Sequence, residues 1–127
     1  MAMDTAVRLF WAGTLGALLA IPVAAHHSFA ANYLMDDEIP IEATVTSFRV
    51  ANPHSVIFVD VVDDAGETEQ WVIEMSTPTT LRNAGWTSAT LPVGTKITAI
   101  GHPTRSGAPT LALIKIVLED GSELLAP

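Results

Sequence analysis

A chain of 127 residues with 14 acidic and 6 basic side chains carries a net charge of −8. That balance argues against nucleic acids and anionic membrane surfaces as partners, since both call for a basic patch. The absence of cysteine excludes disulfides and thiolate metal sites.

Residues 1–25 read as a secretory signal helix. Arg8 precedes an apolar stretch from Leu9 to Ile21, Pro22 breaks the helix, and Val23-Ala24-Ala25 offers small residues for cleavage. The implied location is the bacterial periplasm. The alternative is retention as an N-terminal anchor in the inner membrane, facing the periplasm. The stretch Leu9 to Ala25, interrupted by Gly13, Gly16 and Pro22, is short for a membrane span. Cleavage after Ala25 removes Asp4 and Arg8 together, so the net charge of the mature chain is unchanged. About 100 residues then remain, enough for one small domain and one core.

Cleavage at that point would also make His26 the first residue, followed by His27. A free α-amino group and the Nδ1 of the same histidine close a chelate ring on a metal. A third nitrogen from a distant histidine completes the T-shaped site called a histidine brace. Amines and neutral imidazoles favour copper among the common divalent ions. The competing reading is a His-His pair at a frayed terminus with no role.

Residues 26–40 show little periodicity and read as an extended arm. Phe29 and Tyr33 would pin it to the barrel while Asp36, Asp37 and Glu38 stay in water. From Ile41 the pattern is β. Ile41 to Thr46 alternates, with β-branched residues throughout, and the strand continues to about Val50. Asn52-Pro53 is a turn signal, with an Asx turn available to Asn52. Val56 to Val62 is a second strand, Asp63-Asp64-Ala65-Gly66 a hairpin turn, and Glu69 to Met75 a third strand.

The period then changes. Ser76-Thr77-Pro78 offers an N-cap followed by proline at the first helical position, Thr79 to Ala84 a short helix, and Gly85 its stop. Lys96 to His102 and Thr110 to Leu118 are the fourth and fifth strands, and Glu123 to Leu125 a short terminal one. In the fifth strand Ala112, Ile114, Ile116 and Leu118 would face inward. Trp71, Trp86, Val45, Ile73, Ile97, Ile114 and Ile116 are expected in the core. Three strands, one short helix and two more strands give an all-β fold. It is a small OB-fold-like, five-stranded Greek-key barrel occupying residues 41–127.

Several short motifs occur together: His26-His27-Ser28-Phe29-Ala30 after a leader, Asn52-Pro53-His54, Trp71-Val72-Ile73-Glu74, Ser76-Thr77-Pro78, Gly85-Trp86 and Leu91-Pro92-Val93-Gly94. In this combination the chain resembles a family of small exported bacterial proteins of unknown function. The resemblance spans the mature chain and implies export and a small β-barrel. It brings no activity with it.

Function therefore rests on the polar inventory. His54 lies in the loop between the first two strands, a place where OB barrels bind ligands, held on a stiff proline turn. A plain hydrogen-bonded turn is the competing account of it. His102, before Pro103, reads as a surface or packing residue. Glu74 is either a solvated strand-face charge or an acceptor that orients a ligating imidazole. Met35 and Met75 are soft donors, but packing or chance exposure accounts for each. No Gly-x-Ser-x-Gly elbow, phosphate-cradling loop or His-Glu-x-x-His helix is present, and so small a barrel lacks room for a deep substrate pocket.

The expectation is a non-enzymatic periplasmic protein that binds or delivers copper through His26 and His54, with His27 as substitute or axial neighbour. The alternative is a metal-free interaction module docking on a periplasmic or membrane protein.

Overall fold

The strands form in the order read from the sequence, and their pairing closes a barrel. A computed structural model describes residues 27–127; the signal segment and His26 lie outside the described residues. The elements are α1 (His27–Asn32), β1 (Ile39–Arg49), β2 (Val56–Val62), β3 (Thr68–Glu74), α2 (Pro78–Asn83), β4 (Lys96–Pro103), β5 (Thr110–Leu118) and β6 (Glu123–Leu125). The sheet runs β3-β2-β1-β4-β5-β6, antiparallel between neighbours in that order. It closes by a short parallel pairing of β3 with β5 from Val72↔Thr110 to Glu74↔Ala112. A meander, then a helix before β4, then closure of β5 on β3 is the OB connectivity.

Helix α2 forms for local reasons. Thr77 caps it, its Oγ1 accepting from Thr80 N at 3.3 Å, and Pro78 stands in its first turn. Gly85, at φ +85°, ends it with bonds from Gly85 N to Arg82 O and from Trp86 N to Leu81 O. That stop turns Trp86 into the core beside Leu81, Leu91, Ile57, Ile73 and Ile116.

Two bulges set the inward faces. In β1 the register shifts between Val45 and Ser47. In β5, Gly101 faces Leu113 but Ile100 faces Lys115, leaving Ile114 as the extra residue. The inward set therefore changes phase from Leu111 and Leu113 to Ile116 and Leu118. This corrects the expected burial of Ile114, which is half-buried, its carbonyl accepting from Ala126 N at 2.9 Å. Trp71 is also only half-buried, at the core rim, its Nε1 donating to Glu69 Oε2 at 2.9 Å. The parallel pairing covers β3 only from Val72 onward, so Trp71 sits where that cover ends. Trp86, Val45, Ile73, Ile97 and Ile116 are buried.

The arm is not extended throughout. Residues 27–32 form a helical turn and a half, too short for periodicity to reveal. Tyr33 then bridges Thr104 and is buried, while Asp36, Asp37 and Glu38 are exposed.

Candidate functional site

His54 owes its position to Ser55. Ser55 is fully buried, and its hydroxyl accepts from Ala51 N at 3.3 Å, closing the β1–β2 loop where the sequence suggested an Asx turn at Asn52. Its own amide donates to Ser76 O at 3.1 Å, and its carbonyl accepts from Met75 N at 2.8 Å. The main chain beside His54 is thereby fastened to the end of β3.

The sheet register puts Glu74 at the junction. Glu74 pairs with Val56, just beyond the His54 loop, and on its other side with Ala112, at the start of β5. The β1–β2 and β4–β5 loops therefore flank one carboxylate. His54 Nδ1 lies 3.9 Å from Glu74 Oε2, with the two side chains 48% and 32% exposed. That separation exceeds a hydrogen bond, so the two groups face one another and form an ion pair only when His54 is protonated.

Glu74 has a second partner. The Tyr33 hydroxyl donates to its carboxylate; burial first, then this bond and the nearby negative charge, push the Tyr33 phenol well above its ordinary value. Tyr33 thus joins the arm to β3 at Glu74, and His54 of the β1–β2 loop faces the same carboxylate across 3.9 Å.

The arm lies along the β4–β5 loop. Leu34 N donates to Pro103 O and Arg105 N to Asn32 O, both at 2.9 Å, and Arg105 Nε donates to Ala30 O at 3.3 Å. His102 Nδ1 is 2.9 Å from Asp37 O; a carbonyl only accepts, so the ring proton sits on Nδ1. His102 is therefore a clip for the arm, in keeping with a packing role.

Between arm and loop runs an open cleft of about 390 Å³ lined by Asn32, Tyr33, Glu74, Thr104, Arg105 and Thr110. A second groove of about 370 Å³ crosses β1, β2 and β4 near Glu42, Asp60 and Lys96. Both are surface grooves.

Of the sequence-derived metal residues, His26 lies outside the described residues, His27 opens α1, and His54 stands exposed beside Glu74. Among the described residues no three His, Asp or Glu side chains converge as a metal site. Met75 is buried in the core cluster and Met35 is exposed. The sequence reading missed Ser55 and the Tyr33–Glu74 link. A lone serine before an apolar strand carries no signal, and the link depends on strand pairing.

The connectivity and the flanking loops define the class: a small closed all-β barrel of the OB type, whose fold alone carries no activity. The chain belongs to DUF6152, a family of unknown function, whose family model matches residues 16–112. No curated protein matches the chain.

Proposed function

We propose that this protein, exported to the periplasm and cleaved after Ala25, binds one Cu(II) for storage or delivery. The α-amino group and Nδ1 of His26 and the imidazole of His54 would be the ligands, with His27 as substitute or axial neighbour. One observation carries the reading: Tyr33 fastens the arm to Glu74, and Glu74 faces His54 at 3.9 Å. Residue 26 is seven positions ahead of Tyr33, and α1 occupies most of that stretch. Fully extended, a stretch of that length spans up to about 25 Å, so chain length does not keep His26 from the β1–β2 loop. The donor chemistry fits copper, since an amine and imidazoles rank it above the other divalent ions and no thiolate competes. A net charge of −8 attracts cations.

Calorimetric titration tests the reading on three samples: the protein beginning at His26, the same protein with one extra N-terminal residue, and His54→Ala. One tight Cu(II) in the first, weakened in the other two, is expected. Equal affinity in all three would overturn it and leave a docking module, bound to a periplasmic or membrane protein, in its place. Mass spectrometry of the exported protein checks the start at His26.

A further inference from the structure

Resting on that reading, we propose that Glu74 is the positioning residue of the copper site. It would accept the Nδ1 proton of His54, so that Nε2 is the atom offered to the metal, while Tyr33 holds the carboxylate in place. The two nitrogens of an imidazole point away from opposite sides of the ring. Glu74 Oε2 stands on the Nδ1 side of His54, at 3.9 Å, and about half of the His54 side chain is exposed. Nε2 is therefore the nitrogen turned from the carboxylate.

The gap must close by about 1 Å to become a hydrogen bond, a small rotation for two partly exposed side chains. A metal on Nε2 makes the Nδ1 proton a stronger donor and favours that closure. Such a carboxylate fixes the tautomer and orientation of the ring and raises its basicity.

Glu74 is itself well placed for the task. Its main chain is paired on both sides, with Val56 and with Ala112, and the buried Tyr33 hydroxyl donates to its carboxylate. Tyr33 also ends the arm that leads back to His26. The same carboxylate thus sets the direction of one ligand and the docking of the segment that carries the other.

The test is Cu(II) titration with electron paramagnetic resonance on the protein beginning at His26, and on its Glu74→Ala, Glu74→Gln, Tyr33→Phe and His54→Ala variants. Glu74→Ala should weaken binding by about tenfold to a hundredfold and change the copper hyperfine splitting; the metal-free protein should also melt earlier, because the buried Tyr33 hydroxyl loses its acceptor. Glu74→Gln keeps a neutral acceptor and should recover part of both. Tyr33→Phe should give a smaller loss in the same direction. Parental affinity and spectrum in Glu74→Ala, with copper lost in His54→Ala, would overturn the positioning role and leave the proposed function standing. Equal losses in Glu74→Ala and Tyr33→Phe would also overturn it, since release of the arm would then account for both. Unchanged binding in His54→Ala would remove the proposed function itself.

Discussion

The Tyr33 hydroxyl donates to the Glu74 carboxylate, so a residue ahead of the barrel is hydrogen-bonded to the last residue of β3. The bond is made where Tyr33 is 3% exposed, and it joins the arm to the strand end that faces His54. One side chain therefore links the burial of the arm to the electrostatics of the loop.

The phenol of Tyr33, the single tyrosine of the chain, should resist ionisation in the folded protein. Its folded value is raised above the unfolded value of about 10. The stability it contributes is fully present below that pH and is lost as pH rises beyond it, because the unfolded chain then releases a proton that the fold retains. Tyrosinate absorbance should appear only with alkaline unfolding, and Tyr33→Phe should flatten the alkaline loss of melting temperature. Ionisation near pH 10 with the fold intact would contradict the buried bond.

Trp86, just after α2, and Trp71, within β3, should differ in weight. Trp86 is 5% exposed, its Nε1 donates to Leu125 O at 3.2 Å, and its ring meets Phe48 edge-on at 6.2 Å. Trp86→Ala should cost about 3–5 kcal/mol. Trp71, at the rim, should cost about 1–2 kcal/mol on the same change. Denaturant unfolding of the two variants reads the difference directly.

Gly101 should tolerate no side chain. A Cβ there would run into the main-chain carbonyl of Ala112 and the side chain of Leu111, at the point where β5 carries its bulge. Backbone cannot step aside as a flexible side chain can, so Gly101→Ala should destabilise by about 1–3 kcal/mol or more. Urea melts with an unchanged midpoint would show that the two strands separate more easily than their pairing suggests.

Ser55→Ala should loosen the loop that carries His54. The variant loses the acceptor for the Ala51 amide, a cost of about 1 kcal/mol, while the two main-chain bonds of residue 55 to Met75 and Ser76 remain. Faster hydrogen exchange at Ala51, with Met75 still protected, is the expected pattern.

The local elements were legible before any pairing was known. Alternation from Ile41 to Thr46 gave β1, and Thr77, Pro78 and Gly85 marked the cap, start and stop of α2. These signals act over a few residues and need no distant partner. Ile114 and Trp71 defeated the same reasoning. A bulge shifts the inward phase only once a facing strand exists, and the cover over β3 depends on where β5 begins. Residues 27–32 were too few to declare a period.

By itself the sequence determined the order and type of the strands, the short helix, and the positions of four histidines. Tertiary structure alone decided which residues meet. The parallel closure of β3 on β5 sets Glu74 between two loops distant in the chain, with Tyr33 on one side and His54 on the other. Periodicity reports which face of a strand is apolar. It holds no information about which strand edges will satisfy each other's hydrogen bonds, and that pairing is what assembles the site.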